Sequence, residues 1–569
     1  MFARRPDKLL RTLGQSIKMA ETSITFRPLG HLDGRFYYYS FLLQKIIGLT
    51  PVEHRKENLF NLAPLSYWVK EYGDKKESWS LAIDSLIQTC ASEGLFNPTN
   101  IIGRGIWLID GKGVTHYGDK ILIDGKKLPP KEITGKKVFE LGEALQLGEP
   151  DPQADFTQVE AILSKLSFQT PDAPLLISGW VVCAMAAGAL HWRPHGWVTG
   201  KSGRGKSAVI KAIKRLLGNC AEYYTGETTE AGIRQDLKHD CRAIVFDEAE
   251  PKTQTAQTKI QNVLNLFRQA SSDETAKIAK GTVSGKGINY RIRSCAFMGS
   301  VNPYLTEEPD KNRFFVIEMG VPIEKKEYDK WEFEMENTFS SGFQAALHNR
   351  ISENIVTLAA NAKIFSSVLA GRFMNNRAGD QYGTLMAGAY LLTSPEPVTK
   401  EIAQDWVKDI KFPADDKGTE EKSDEQDLWN YMLERMVRFT KQSDSKVLIF
   451  DRPLAELIDA ALGNYKPMEY SYADAEIALS YKGIKTIIEN SKQYVAVSTN
   501  HSALADLIGR SRFAGLDWAP ILRRLPGSIS PQKSYRIGVG KAPGKATLIP
   551  WDDGKSEQAS QKVVTPLKA

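Results

Sequence analysis

The stretch that decides the fold is GKSGRGKS, residues 200–207. It matches the pattern G-x-x-x-x-G-K-S/T and lies between WVT, typical of a strand, and AVIKAIKRLL, typical of a helix, which is the setting that a phosphate-binding loop requires. Its glycines let backbone N–H groups face phosphate oxygens, while Lys206 supplies a charge at the β- and γ-phosphates and Ser207 a hydroxyl to Mg²⁺. The alternative is a glycine-rich surface loop that fits the pattern by chance. The predicted nucleotide-binding residues are Gly200, Lys201, Ser202, Gly203, Arg204, Gly205, Lys206 and Ser207.

A second signal follows in AIVFDEAE, residues 243–250, where four apolar residues precede Asp247 and Glu248. A buried parallel strand presents such carboxylates at its C-terminal end. We expect Asp247 to hold Mg²⁺ through water and Glu248 to orient and deprotonate the attacking water. The alternative is an acid pair that caps a helix or faces solvent after a core strand.

Two further residues extend this predicted site. Asn302 ends the strand-like CAFMGSVN, where a neutral side chain could hold the attacking water and the γ-phosphate; it could instead be a turn-forming Asn before a proline. Arg313 precedes the strand-like FFVIEM and could act as an arginine finger at a neighbouring subunit's nucleotide. A surface salt bridge is the alternative for Arg313, and Arg291 and Arg293 are weaker rivals for its role.

A glycine-punctuated, lysine-bearing segment, residues 267–294, separates the second and third strands. Its pattern predicts a strand–turn–strand with Lys286 at the tip, and Lys280 lies in the same segment. A basic hairpin that projects into a ring channel can grip a phosphate backbone. The alternative is a solvated loop with ordinary lysines.

Apolar strands alternate with helices from about residue 170 to 325, which predicts a parallel sheet with helices on both faces. Near the C-terminus, SALADLIG and LDWAPILRRLPGS are helix-like, and KSYRIGVG and KATLIPW predict a two-stranded ribbon. That order is typical of a winged helix, in which Arg523 and Arg524 could contact DNA phosphates or face solvent. The predicted divisions are 1–150, a mixed α/β accessory domain; 151–325, the P-loop core; 326–412, a helical region; 413–427, a charged linker; 428–551, the winged-helix-like module; and 552–569, a disordered tail.

Composition adds few constraints. The chain has 569 residues, 42% of them hydrophobic, and a net charge of +6, which permits an acidic partner without requiring one. The five cysteines are scattered, and the basic N-terminus has no apolar signal core behind it, so we expect a cytoplasmic protein. The apolar run of residues 175–190 predicts a buried helix rather than a membrane span. His191 and His195 in HWRPH predict a structural turn rather than a metal site, because Pro194 interrupts a shared helical face.

The order GKSGRGKS, AIVFDE, the lysine-bearing segment, GSVNP and NRF resembles that of the superfamily 3 helicases of viruses, phages and plasmids. The resemblance implies a hexameric AAA+ ring, with Lys206, Ser207, Asp247, Glu248 and Asn302 in the nucleotide site. It also implies Arg313 as the finger and Lys286 at the DNA hairpin. Residues 103–125 and 179–200 further resemble the helicase part of phage primase-helicase proteins.

The expected function is therefore that of an ATP- and Mg²⁺-dependent DNA helicase in replication of a phage or mobile element. It would be a homo-oligomeric ring that translocates on single-stranded DNA, with single-stranded or forked DNA as its partner. The sequence has neither an Asp-x-Asp pair nor zinc-ribbon cysteines, so a separate primase would supply any primer. The main alternative is an ATP-dependent switch or loader that binds DNA in origin recognition, transposition or defence and never separates strands. An ATPase that acts on a protein partner is a third reading.

Overall fold

The computed structural model describes residues 18–19, 25–170, 172–226, 228–247, 254–272, 292–305, 308–415, 424–443, 446–489, 492–509, 511, 513–514, 517–537 and 542–551. The chain divides into two compact units, residues 1–416 and 417–569. The predicted disordered tail, 552–569, lies outside the described residues. The domain boundaries within the first unit remain predictions.

The strands of the first unit are β1 (Lys18–Met19), β2 (Phe26–Leu32), β3 (Arg35–Ser40), β4 (Lys45–Leu49), β5 (Ile101–Ile102), β6 (Gly105–Ile109), β7 (Lys112–His116), β8 (Ile121–Ile123), β9 (Lys126–Leu128), β10 (Ile133–Thr134), β11 (Val138–Phe139), β12 (His195–Thr199), β13 (Ala221–Thr225), β14 (Ala243–Asp247), β15 (Ala296–Gly299) and β16 (Phe314–Glu318). Its described helices are α1 (Lys56–Leu59), α2 (Leu65–Tyr72), α3 (Lys76–Ser92), α4 (Gln158–Leu163), α5 (Ala173–Met185), α6 (Lys206–Leu217), α7 (Glu230–Leu237), α8 (Gln254–Ala270), α9 (Glu308–Lys311), α10 (Lys325–Thr338), α11 (Ser341–Glu353), α12 (Ile355–Phe373), α13 (Asn376–Thr393) and α14 (Lys400–Val407).

A five-stranded parallel sheet in the order β13-β14-β15-β12-β16 forms the centre of this unit. The alternation of apolar strands with helices predicted its parallel character and four of its strands, β12, β14, β15 and β16. The fifth, β13, was not predicted. Only Ala221 of its sequence AEYYT is buried, and the other residues are half-buried or exposed, as suits an edge strand that lacks the continuous apolar run of the inner strands.

Helices cover both faces of the sheet. On one face α5 and α6 pack against Val198, Val245 and Phe297. On the other, α7 and α8 pack against residues such as Ile244 and Phe246. Successive strand residues point to opposite faces, so a strand buried on both sides is apolar at every position. The parallel sheet therefore lies inside a three-layer core.

The apolar run 175–190 falls largely within α5, whose side chains are almost all buried against α13 and the sheet. None of the helices in the described part of the chain is long and apolar enough to cross a membrane.

A four-stranded antiparallel meander, β6-β7-β8-β9, docks where the central strands begin. The backbone N–H of Cys241 donates to Arg104 O at 2.9 Å. The Arg104 guanidinium donates to Asp240 at 2.8 Å, and the Arg104 backbone N–H donates to the same carboxylate at 2.7 Å. Asp240 also accepts from Arg242 at 3.0 Å. This part of the predicted accessory region is thus joined to the central parallel sheet by largely buried ionic contacts.

The second unit contains the strands β17 (Met436–Ser443), β18 (Lys446–Pro453), β19 (Ile484–Glu489), β20 (Lys492–Ser498) and β21 (Ala546–Pro550), and the helices α15 (Asp424–Leu433), α16 (Leu454–Leu462), α17 (Tyr472–Tyr481), α18 (Ser502–Ile508) and α19 (Trp518–Leu522). β21 pairs antiparallel with β20. An isolated antiparallel bridge, Tyr535–Gly544, lies between the two segments of the predicted two-stranded ribbon, which remains a prediction. β21 is an edge strand of the sheet β19-β20-β21, and four of its five residues are buried. The winged-helix assignment remains a prediction.

We predict that Arg104→Ala lowers the free energy of unfolding by about 1–3 kcal/mol. The Asp240 carboxylate would keep its contacts with the Arg104 backbone N–H and with the buried Arg242, but it would lose the hydrogen bond from the Arg104 guanidinium. Urea denaturation followed by tryptophan fluorescence measures this loss. The control is Lys112→Ala, which removes an ion pair with Asp124 on the same meander. That pair is partly solvent-exposed, so its loss is expected to cost less than about 1 kcal/mol. Equal losses in the two variants would contradict the proposed anchoring role of Arg104.

Candidate nucleotide site

The loop 200–205 joins the end of β12 to the start of α6 and has the backbone of a phosphate cradle. Gly200, Gly203 and Gly205 adopt φ values of +146°, +77° and +99°, which L-residues with a Cβ rarely adopt. Gly205 is the N-cap of α6, so the N-terminal N–H groups of this helix face the mouth of the loop. The glycines of the motif thus allow the positive φ angles that the loop adopts.

The side chain of Lys206 returns into this loop. Its Nζ donates to Gly200 O at 2.6 Å and to Lys201 O at 3.2 Å, and Ser207 beside it is exposed. The ammonium charge therefore lies among the loop's own backbone groups, where phosphate oxygens would bind.

Arg204 ties the loop to the end of a neighbouring strand. Its guanidinium donates to Gly320 O at 3.1 Å, just beyond β16, whereas Lys201 is exposed. Arg204 is thus a positioning residue for the loop, a role that the motif alone does not reveal.

Asp247 lies at the C-terminal end of β14, across β15 from the loop. β15 pairs with both β14 and β12, and a Cβ placed on Gly299 would lie 3.8 Å from Asp247 Oδ1. The carboxylate therefore extends over the glycine that ends β15. Glu248, predicted as the base, lies outside the described residues.

Asn302 is held beside the loop by the continuation of β15. Thr199 Oγ1 donates to Val301 O at 2.6 Å, and the N–H of Gly200 donates to the same carbonyl at 3.4 Å. Ser300 Oγ donates to the Asn302 carbonyl at 2.7 Å, while the Asn302 residue is exposed. The fold thus brings the loop, Asp247 and Asn302 to one edge of the sheet.

Arg313 lies at the opposite edge of the sheet, where the parallel strands begin. It immediately precedes β16, which runs parallel to β12 with Phe314 opposite His195. The five residues of these strands span roughly 16 Å, farther than an arginine side chain reaches. Arg313 therefore cannot serve the phosphate loop of its own chain.

Arginines precede four of the five strands of this sheet, namely β12, β14, β15 and β16, and their contacts distinguish them. Arg193 donates to the backbone carbonyls of Leu190 and Ala270, and Arg242 pairs with Asp240 and Glu222. The guanidinium of Arg293 lies 5.7 Å from the ring centre of Trp107.

Arg313 has fewer contacts. It donates from one terminal nitrogen to Pro309 O at 2.7 Å, and its Nε is buried with no hydrogen-bond partner among the described residues. Burial lowers its pKa from the ordinary value. Of the two described candidates, Arg313 is therefore better placed than Arg293 to engage an external anion. Arg291 lies outside the described residues.

The HWRPH turn is a buried clamp. His195 Nδ1 accepts from the Ala296 N–H at 3.0 Å, and its Nε2 lies 2.9 Å from Phe267 O, which requires a neutral ring protonated on Nε2. His191 instead faces Asp380, with Nε2 3.3 Å from Oδ1. The two histidines thus have separate structural partners. In the described part of the chain no group of three or more His, Cys, Asp or Glu side chains is placed to hold a metal ion.

A cavity of about 280 Å³ adjoins the phosphate loop on its β16 side. Backbone and side chains of Ser167, Arg204, Met319, Ile323 and Tyr328 contribute to its wall. An apolar pocket with an aromatic ring next to a phosphate cradle is suited to a nucleobase. Sequence patterns could not reveal it, because its wall comes from three separate segments.

The remaining predicted DNA contacts have mixed outcomes. Lys280 and Lys286 lie outside the described residues. Arg523 and Arg524 follow α19 in the second unit and are both exposed, as either a phosphate contact or a solvated face would require.

The oxygen ligands present suit Mg²⁺. Ser207 offers a hydroxyl and Asp247 a carboxylate, and Mg²⁺ is usually held by one or two such groups together with waters and substrate phosphates. The loop, Lys206 and these two oxygens therefore fit a Mg²⁺–nucleoside triphosphate.

The chain is similar to a solved structure described as "SCCmec type IV Cch - active helicase", with 13% identity and a TM-score of 0.47 over 93% of each chain. It is also similar to "The apo structure of NrS-1 C terminal region (305-718)", with 12% identity and a TM-score of 0.28 over 75% of this chain and 95% of that one. No family model and no curated protein matches the chain. Identity and TM-score are low, so we base the function on the site residues.

We predict that Lys206→Ala reduces nucleotide hydrolysis to background, because it removes the charge that would contact the β- and γ-phosphates. Phosphate release measured with ATP and Mg²⁺ tests this. Lys214→Ala, at an exposed position two turns farther along α6, is the matched control and should keep most of the activity. Normal turnover by Lys206→Ala would remove the basis of the site assignment.

We predict that stability falls as the pH drops from about 7 to 4. Burial lowers the pKa of His195 to about 3 and that of His348 to about 4, from an ordinary 6.5. Below pH 6.5 the histidines of the unfolded chain bind protons, whereas those of the folded chain stay neutral. The free energy of unfolding is therefore highest above pH 6.5 and falls below it, by up to about 1.4 kcal/mol per pH unit for each histidine.

Urea midpoints measured between pH 7.5 and 4.5 would show this slope. Nδ1 of His348 is buried with no hydrogen-bond partner, so His348→Phe should flatten the slope with little loss of stability at pH 7.5. An unchanged slope in this variant would mean that His348 titrates normally in the folded chain.

Proposed function

We propose that the protein is an ATP-dependent, ring-forming DNA helicase that translocates on single-stranded DNA during replication of a phage or other mobile element. The observation that carries this proposal is the division of catalytic groups between the two edges of one sheet. The phosphate loop, Asp247 and Asn302 lie at one edge and Arg313 at the other. Each chain thus offers a nearly complete hydrolysis site and an arginine that only another chain can use. Head-to-tail contacts of this kind close into rings.

In this mechanism ATP binds between two subunits. Lys206 and the loop N–H groups hold the phosphates, Ser207 and Asp247 hold Mg²⁺, and Asn302 positions the attacking water. Glu248 would accept the proton of that water, and Arg313 from the next subunit would stabilise the negative charge that develops. Bound Mg²⁺ would neutralise charge on the β- and γ-phosphate oxygens.

DNA movement is assigned to the segment with Lys280 and Lys286, between α8 and β15. The described residues on either side are held by the HWRPH clamp: Phe267 before the segment and Ala296 after it both contact His195. A shift of β12 would therefore move the described residues on both sides of the segment. Sequential grip and release of one strand inside a ring would exclude its complement, which is unwinding.

The alternative function is an ATP-dependent DNA-binding switch or loader. It would use the same loop, Asp247 and Arg313, but ATP would drive assembly without strand separation. Sustained unwinding distinguishes the two functions.

The test is strand separation of a forked DNA with ATP and Mg²⁺, with hydrolysis recorded in parallel. We expect wild type to unwind the fork and Lys286→Ala to lose unwinding while it keeps basal hydrolysis, because only the grip on phosphates is removed. Lys127→Ala, an exposed lysine on β9, is the charge-matched control and should unwind normally. DNA binding and hydrolysis by wild type without unwinding would favour the switch or loader.

A further inference from the structure

The start of α13 is held against the sheet edge that carries Arg313. Trp192 Nε1 donates to Gln381 Oε1 at 2.8 Å, and Gln381 Nε2 donates to His195 O at 3.1 Å. The N–H of His195 in turn donates to Arg313 O at 3.3 Å. Two hydrogen bonds therefore connect the buried face of α13 to the backbone of Arg313.

Arg377 is on the same face of α13, one turn nearer its N-terminus. It lies four residues before Gln381, and residues at this spacing are neighbours on a helix surface. Asn375 caps the helix by accepting from the Arg377 N–H at 2.9 Å, which fixes the backbone there, and the Arg377 side chain is exposed. After burial, the charge of Arg377 is the largest influence that lowers the pKa of Arg313. Both arginines therefore lie at the end of the sheet where β12 and β16 begin.

Two carboxylates in the described part of this region, Asp310 and Asp380, already have partners. Asp310 is fully buried and accepts from Arg268 and from Gln261, and Asp380 faces His191. Two guanidinium groups of like charge side by side repel each other. An anion bound between them would replace this repulsion with attraction to both charges. Phosphate suits the geometry because each guanidinium can donate two parallel hydrogen bonds to it.

We propose that Arg377 is a second arginine that acts in trans: together with Arg313 it binds the terminal phosphate of the nucleotide held by the neighbouring subunit. This inference rests on the proposed ring and adds to it a residue from the helical region outside the ATPase sheet. Arg377 supplies charge to the phosphate from α13, and the HWRPH clamp sets the spacing of the two arginines.

The first measurement is steady-state ATP hydrolysis. We expect Arg377→Ala to lower kcat by about ten- to a hundredfold with a smaller change in KM, because the phosphate charge grows toward the transition state. Arg377→Lys keeps the charge but loses the forked geometry and should be intermediate. Lys363→Ala, which removes an exposed charge from α12, should match wild type. Wild-type kcat in Arg377→Ala would overturn the proposal.

The second measurement separates catalysis in trans from a structural role. Arg377→Ala subunits are mixed with Lys206→Ala subunits, so that an intact phosphate loop in one meets an intact Arg377 in the other. We expect hydrolysis above the sum of the two separate proteins. An Arg313→Ala and Lys206→Ala mixture is the control for the ring itself.

A gain with Arg313→Ala but none with Arg377→Ala would overturn the role of Arg377 and leave the proposed function intact. No gain in either mixture would instead count against the ring-interface site on which both arginines depend. Thermal denaturation of each variant identifies any loss of activity that comes from unfolding.

Discussion

The parallel pairing of β12 between β15 and β16 is the constraint on which the rest of the site depends. Because the three strands run in one direction, everything that follows them meets at one edge and everything that precedes them meets at the other. The phosphate loop, Gly299 and Gly320 belong to the first edge, and Arg193 and Arg313 to the second. Reversal of one strand would mix the two sets, so chain direction itself separates the phosphate loop from Arg313, the arginine proposed to complete hydrolysis.

Buried polar contacts give the second edge its definite geometry. His195 uses both ring nitrogens, its N–H and its carbonyl on four different segments of the chain. Arg193 satisfies carbonyls near the ends of α5 and α8. Such groups are costly to bury unless every partner is in place. The network therefore admits one arrangement of β12, α8, β15 and α13, which an apolar core of the same volume would not enforce.

Local patterns predicted the parts of this architecture that local chemistry determines. The loop 200–207 and the strands β14, β15 and β16 could be predicted because glycine spacing and apolar runs act over a few residues. The contacts of Arg204 with Gly320 and of Gln381 with His195 join residues far apart in sequence, and no periodicity encodes them. The pairing of β21 with β20 was not predicted for the same reason: an apolar strand shows that it is buried, not which strand it pairs with.

The length of β12 and β16, which separates Arg313 from the phosphate loop of its own chain, also has a kinetic consequence. Since Arg313 cannot reach its own phosphate loop, a solitary chain would bind nucleotide yet hydrolyse it slowly, and the specific activity would rise steeply with protein concentration. Dilution would act as an off-switch, so that newly made or dissociated chains would not consume ATP. Turnover would begin only where enough copies gather to close their interfaces, which couples energy use to assembly.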